Sequence, residues 1–223
     1  VKRVMVPVDG GEKHINFALC NDLPTLVWLA NLGCIEAHAW TSRIEHLENP
    51  DFAVFDLDPA PPASYKDVLE VACLIRGVLA EFGLKGYPKT SGATGFHINV
   101  PITPVYTYEQ VRKAVEYVAK LLVEVYPKRC TVERTVSKRS GKVYIDYLQN
   151  GRAKTMAFVY SLRPHPGAPV STPVTWEEVE KGIDPGQFNI HTIQARIKQV
   201  GELYSPLLAI EGQDLSPILK LCQ

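Results

Sequence analysis

The sequence lacks net charge, with 24 Lys and Arg balanced by 24 Asp and Glu. It therefore misses the overall basic excess that usually marks a nucleic-acid binder. No apolar run approaches the roughly 18 to 20 residues of a membrane span, and no signal-peptide pattern opens the chain, so a cytoplasmic protein is expected. Its five cysteines, Cys20, Cys34, Cys73, Cys130 and Cys222, are odd in number and widely spaced, and none forms a CxxC pair. That spacing excludes a disulfide framework or a zinc site and reads as reduced thiols, mostly buried. Internal repeats and low-complexity tracts are absent too. What is present is ordinary globular composition, 46% apolar and 22% charged over 223 residues, enough for one large or two small domains with a real core.

Proline and glycine punctuate the chain. An apolar helix-like stretch, Leu23 to Leu32, stops at Gly33, and a short strand-like run precedes Trp40. Asp51 to Asp58 alternates and then meets Pro59, the pattern of a strand entering a turn. Ser64 is an N-cap with Asp67 in the first turn behind it. Val68, Leu69, Ala72, Ile75, Leu79 and Phe82 then recur at helical spacing up to Gly83. Lys85 to Pro101 contains a Gly-rich turn, Ser91 to Gly95, feeding a strand from Phe96 to Val100. Thr107 and Gln110 form a capping-box signature for a second helix carrying Val111, Val115, Val118, Leu122 and Val125, which ends before Pro127. Strands are predicted at Val143 to Tyr147 and Met156 to Ser161, with an extra one near Thr131. The order is β-α-β-β-α-β, an α+β, ferredoxin-like (RRM-like) core of antiparallel strands with two helices on one face. The division expected is an N-terminal α/β segment (1–50), the core (51–164) and a helical tail (165–223) packing back on it, with short helices near Thr175 to Lys181 and Thr192 to Gly201.

Asp56 and Asp58 lie two apart on a strand, so both leave the same face. Neighbouring carboxylates repel, and a divalent cation removes that repulsion; Asp146, in an apolar strand, is the natural third ligand for Mg²⁺ or Mn²⁺ beside phosphates. Capping of a Pro-terminated turn is the alternative for Asp56 and Asp58. The Ser91 turn, followed at once by His97, could wrap anionic oxygens, or be a plain hairpin turn with a core histidine. It is not a P-loop, since no GK[ST] follows. Between Lys128 and Arg163, nine basic residues face two acidic ones, a net of +7 that leaves −7 on the rest. Lys138, Arg139, Lys142 and Arg152 are candidates for a polyanion path, a solvated hairpin being the alternative for Lys138 to Lys142. His38 is either a core histidine or a ligand contact; His14, His46, His165 and His191 read as surface residues.

Together, Phe55-Asp-Leu-Asp-Pro59, Thr90-Ser-Gly-Ala-Thr-Gly-Phe-His97 and Val143-Tyr-Ile-Asp-Tyr-Leu-Gln-Asn150 resemble the signature motifs of the archaeo-eukaryotic primase superfamily. They are closest to the polymerase domain of bacterial DNA ligase D and its stand-alone primase-polymerase relatives. Cys20 to Leu26, Ala30 to Glu36, Tyr160 to Arg163 and Pro166 to Pro173 resemble that family as well. The resemblance implies a template-directed nucleotidyltransferase adding NTPs or dNTPs to a primer 3′-OH on DNA, in end-joining repair. It implies two metal ions, Mn²⁺ or Mg²⁺, on Asp56, Asp58 and Asp146. It also implies nucleotide contacts from Ser91, His97, His38, Gln149 and Arg163, with Lys154 as a weaker one. Implied partners are a ligase, a phosphoesterase or Ku, and the implied location is the nucleoid. Two departures bear on this. The family often carries a lysine where this turn has Ala93 and Thr94, which implies lower triphosphate affinity. Family domains also have roughly 80 further residues ahead of the part matched by Val1. Those residues carry the pocket for a 5′-phosphate, so break-end recognition does not transfer, and a fragment or a shortened relative is expected.

Two other classes share features of the pattern. A non-catalytic RRM-like nucleic-acid-binding module has the same element order and could stack bases on Phe96, Tyr144 and Tyr147, but three acids on its sheet would repel phosphate. A two-metal nuclease shares the carboxylates but has no need of the Ser91 turn.

Overall fold

The computed structural model describes residues 1–8, 13–209 and 211–222. The chain opens with a hairpin of β1 (Arg3–Val8) and β2 (Lys13–Ala18), registered from Arg3 opposite Ala18 to Val8 opposite Lys13. Next come α1 (Leu23–Asn31), capped by the Asp22 carboxylate on the Thr25 amide, and the two-residue β3 (His38–Ala39). The helix forms where predicted, yet Leu23, Leu26, Val27 and Trp28 on it stay exposed.

The core follows as β4 (Phe52–Pro59), α2 (Tyr65–Glu81), β5 (Tyr87–Thr90), β6 (Phe96–Pro101), α3 (Tyr108–Val125), β7 (Cys130–Thr131) and β8 (Val143–Asp146). Both long helices start at the predicted caps. The hydroxyls of Ser64 and Thr107 accept the amides of Asp67 and Gln110, whose side chains accept the cap amides in return. Gly83 stops α2 at φ +71°, a left-handed conformation that glycine adopts without steric cost.

The sheet order is β5-β6-β4-β8-β7. Up to β8 all neighbours are antiparallel, compatible with the split β-α-β order predicted. β7 is the extra strand near Thr131, but it runs parallel to β8, so the sheet is mixed rather than antiparallel. The reason is the connection: residues 132–142 return the chain to the start of the sheet instead of making a hairpin, and such a return delivers a parallel neighbour.

The predicted strand Met156 to Ser161 is reduced to β9 (Met156–Ala157), which pairs with β3 and not with the main sheet. Ala153 and Tyr160 take left-handed conformations, φ 62° and 61°, which interrupt an extended run on both sides of β9.

Strand alternation separates two faces. Ala53, Phe55 and Leu57 of β4, Phe96, Ile98 and Val100 of β6, and Val143 and Ile145 of β8 pack under α2 and α3. The helices contribute Val68, Ala72, Ile75 and Leu79, and Val111, Val115, Val118 and Leu122. Burying each such side chain contributes about 1.5–3 kcal/mol. Val125, expected on that apolar side, is exposed at the helix end.

The tail packs back as α4 (Trp176–Lys181), α5 (Ile193–Val200), α6 (Ser205–Ala209) and α7 (Ser216–Leu219), the last two unpredicted. Trp176 Nε1 donates to the Gly86 carbonyl at 2.8 Å, and Leu215 and Ile218 join the core. The cysteines are free, as predicted, but only Cys130 is buried; Cys20 and Cys34 are exposed, since the elements that carry them lie at the surface. Among the described residues, no helix is long and apolar enough to cross a membrane.

Candidate active site

The face of the sheet away from the helices carries one cross-strand row. Lys89 on β5 is opposite His97 on β6, His97 is opposite Asp56 on β4, and Asp56 is opposite Asp146 on β8. Directly opposed residues point the same way, so register alone brings these four together. Asp58 lies one step along β4, opposite Tyr144. The three predicted carboxylates therefore share one face, drawn from two adjacent strands.

Their electrostatics are those of crowded, desolvated acids. Burial pushes Asp56 up to about 6, with Lys89 and then Arg163 opposing the shift. Asp58 is also pushed up to about 6, by burial first and then by the charges of Asp56 and Asp146. Asp146 is raised by burial and by Asp56. An oxygen-only set of mutually repelling carboxylates fits a hard divalent cation, whose charge would reverse each shift. Among the described residues, no three His, Cys, Asp or Glu side chains are already gathered into a closed ligand set. Asp146 Oδ1 instead accepts the Tyr144 hydroxyl at 3.1 Å and the Leu148 amide at 3.0 Å.

His97 is buried, with Nε2 3.2 Å from Asp56 Oδ1, while its Nδ1 is enclosed without a hydrogen-bond partner. Burial, aided by the nearby Lys89 and Arg163 charges, holds the ring neutral. An orphaned buried ring nitrogen costs about 1–3 kcal/mol.

Beside this row lies the Ser91 turn, whose glycines are required by close approach. A Cβ on Gly95 would stand 2.8 Å from both Asp58 Oδ1 and the Leu57 carbonyl. One on Gly92, at φ +75°, would stand 2.6 Å from Arg163 Cγ. Ser91 Oγ accepts the amides of Ala93 and Gly95, both at 3.1 Å, so these two amides shape the turn and the hydroxyl keeps its own proton to donate. Thr94, at the position where the resemblance leads one to look for lysine, is exposed.

Arg163 closes the side of the site. Its Nη1 donates to the Ser91 carbonyl at 2.9 Å and its Nε to Glu36 Oε1 at 2.5 Å. The same Glu36 oxygen lies 3.3 Å from His38 Nε2, and hydrogen bonds from His38 and Arg163 hold Glu36 below the usual carboxylate range. His38 is exposed, not a core histidine, and it reaches this side because β3 pairs with β9. Gln149 lies half-buried in the short 3-10 turn after Asp146.

The basic candidates divide. Arg139 stacks on the Tyr144 ring, its guanidinium carbon 3.5 Å from the centroid, so the 132–142 loop overhangs the carboxylates. Lys138 is exposed and Lys142 half-buried on that loop. Arg152 is engaged within the chain: its Nε bonds both Glu48 oxygens at 2.8 Å and its Nη1 the Pro7 carbonyl, tying β1 to the core. Lys154 sits exposed in the next turn. His14, His165 and His191 are exposed as expected, whereas His46 is half-buried, with Nδ1 3.1 Å from the Asn49 carbonyl. Of the three aromatics that an RNA reader would stack on, Phe96 faces the helices, Tyr144 is buried beneath Arg139 and Tyr147 packs half-buried against the core.

Sequence reasoning passed over Lys89, Glu36, Tyr144 as a carboxylate partner, and Asn150. A signal existed for Lys89, a long cation placed inside a strand two residues ahead of the turn; the others depend on which strands pair.

Comparison with known proteins gives the context. The family model described as "LigD, primase-polymerase domain" matches residues 1–204. The bifunctional non-homologous end joining protein LigD of Bacillus subtilis is 34% identical over 194 residues, covering 86% of this chain and 31% of that protein. The multifunctional LigD of Pseudomonas aeruginosa is 34% identical over 175 residues, covering 78% of this chain and 21% of that one. This chain thus spans a third or less of the curated relatives it matches. A solved structure, the polymerase domain of Mycobacterium tuberculosis ligase D in complex with DNA, superposes with a TM-score of 0.84 at 28% identity, covering 95% of this chain and 75% of its own. With its α+β fold, its carboxylate face and a family match over nearly its whole length, this chain belongs to the LigD primase-polymerase domain family.

Proposed function

We propose that the chain is a template-directed nucleotidyltransferase that extends a primer 3′-OH with NTPs or dNTPs, in the setting of DNA end joining. The observation that carries this reading is the single face on which Asp56, Asp58 and Asp146 lie beside the neutral His97, the Ser91 turn and Arg163. Asp56, Asp58 and Asp146 would hold two divalent ions, Mn²⁺ or Mg²⁺. When bound, such ions lower the pKa of the attacking hydroxyl and offset charge on the α-phosphate and the departing pyrophosphate.

The chain's own residues do the rest. Arg163 presents a planar fork of donors suited to a triphosphate, with Ser91 and Glu36 fixing its plane. Ser91 keeps a hydroxyl proton for a phosphate oxygen, and His97, neutral and 3.2 Å from Asp56 Oδ1, lines the nucleotide space without adding charge. His38 and Gln149 flank the same space as further nucleotide contacts, with Lys154 as an outer one. Lys138, Arg139 and Lys142 overhang the face from the basic loop, where a template-primer backbone would run. A cytoplasmic location at the nucleoid, and association with ligase, phosphoesterase or Ku, complete the proposal.

Primer extension with Mn²⁺ tests it. Asp56→Ala and Asp58→Ala, together or singly, should reduce extension by at least about a thousandfold, since removing a group that stabilises transition-state charge costs of that order. Retained extension would overturn the carboxylate assignment, and cleaved nucleotide in place of pyrophosphate would favour a nuclease.

A further inference from the structure

Lys89 is a buried ammonium, 4% exposed, for which the reaction above has no use. Its Nζ donates to the Ala157 carbonyl at 2.9 Å and to Ser171 Oγ at 2.6 Å, both uncharged acceptors. Placing a cation there costs several kcal/mol of desolvation, more than two neutral hydrogen bonds return. A neutral, apolar side chain would serve packing better.

Its partners explain the placement. Ala157 lies directly opposite His38 in the β3–β9 ribbon. Ser171 receives the Tyr160 amide on its carbonyl and gives its own amide to Ser161, whose hydroxyl accepts the Ala37 amide at 2.8 Å. Ser171 Oγ donates onward to the Thr90 carbonyl at 2.9 Å, closing the network back on β5. Lys89 therefore ties the sheet to both segments that present His38 and Arg163. Tolerance there is small: a Cβ on Gly92 would meet Arg163 Cγ at 2.6 Å and the Ser171 amide at 2.9 Å. The carboxylates are placed by β4–β8 pairing rather than by this tie, and Lys89 reaches them only through its charge, which opposes the rise of Asp56.

We propose that Lys89 is a positioning residue that registers the His38 and Arg163 segments against the carboxylate face, and so sets affinity for the incoming nucleotide. The role rests on the nucleotidyl-transfer reading above.

Steady-state primer extension with Lys89→Met and Ser171→Ala tests it, with thermal unfolding of each variant as a check on folding. The apparent NTP KM should rise about tenfold in Lys89→Met, and less but in the same direction in Ser171→Ala. In both, kcat should stay within about threefold of wild type, and in Ser171→Ala, which keeps the Lys89 charge, the half-saturating Mn²⁺ concentration should not move. Because both act through one network, the double variant should be no worse than Lys89→Met alone. If Lys89→Met does not fold, Ser171→Ala, which removes one hydroxyl with its bonds to Lys89 and the Thr90 carbonyl, decides. An unchanged KM, a loss confined to kcat, a shifted Mn²⁺ requirement in Ser171→Ala or strictly multiplicative effects would overturn the role of Lys89. Failure of the wild-type protein to extend a primer would overturn the functional reading instead.

Discussion

Asp56 and Asp58 carry folded-state pKa values of about 6, against 3.8 for the free carboxyl. A carboxyl raised on folding favours its protonated form. Its contribution to stability is full below about pH 4 and is lost as pH rises through 6. The metal-free protein should thus lose stability between about pH 4 and 6, and Asp58→Asn should flatten that decline. A divalent ion competes with the same protons, so each carboxyl at about 6 makes metal binding about tenfold weaker at pH 5 than at pH 7. Thermal shift with titrated Mn²⁺ at the two pH values reads this directly. An equal Mn²⁺ midpoint at both would mean that these carboxyls do not hold the ion. The pairing that makes Asp56 and Asp58 one site was legible from their spacing of two. Their coupling to His97 and Lys89 was not, because it depends on strands that the sequence does not name as neighbours.

Strand β8 shows how an element can be short and still place an acid on the shared carboxylate face. Its pairing with β4 stops at Asp146 opposite Asp56, where the chain turns into a 3-10 segment. The next backbone groups of β4 are paired by a side chain. Asn150 Oδ1 accepts the Val54 amide at 2.8 Å, and Nδ2 donates to the Val54 carbonyl at 2.7 Å and the Tyr147 carbonyl at 3.1 Å. Asn150 thereby substitutes for the missing strand residue and lets Asp146 sit at the turn. Asn150→Ala would leave both groups of Val54 buried and unpaired, a loss of about 2–3 kcal/mol in chemical denaturation. A loss below about 0.5 kcal/mol would mean that water or a shifted strand takes over. Elements with local signatures were legible: α2 and α3 announce themselves by capping boxes and apolar periodicity. The β1–β2 hairpin was not, since Pro7 in one strand and His14 and Asn16 in the other blur the alternation. Nor was the shortening of β9, because nothing local marks Tyr160 for a left-handed conformation.

Across the whole molecule the zero net charge is a sum over separated regions, and the fold decides which charges remain for a partner. Of the basic residues between Lys128 and Arg163, Arg129 pairs with Glu70, Arg152 with Glu48 and Arg163 with Glu36. Lys138 and Lys142 lie on the loop that Arg139 pins over Tyr144, next to the carboxylate face. The segment that looked uniformly basic in sequence is therefore a short loop beside the carboxylate face plus a set of arginines paired with acids. Each lysine that neutralises a duplex phosphate contributes about 0.9 to the salt slope of binding. Lys138→Ala and Lys142→Ala should each weaken template-primer binding and lower that slope by about one, with the NTP KM unchanged. Arg152→Ala should leave the slope as it is and lower thermal stability instead, because the β1 hairpin loses its tether to Glu48 and Pro7. Binding measured by fluorescence anisotropy from 50 to 200 mM salt distinguishes the two kinds of residue. Equal slopes for all three variants and wild type would place the nucleic acid elsewhere on the molecule.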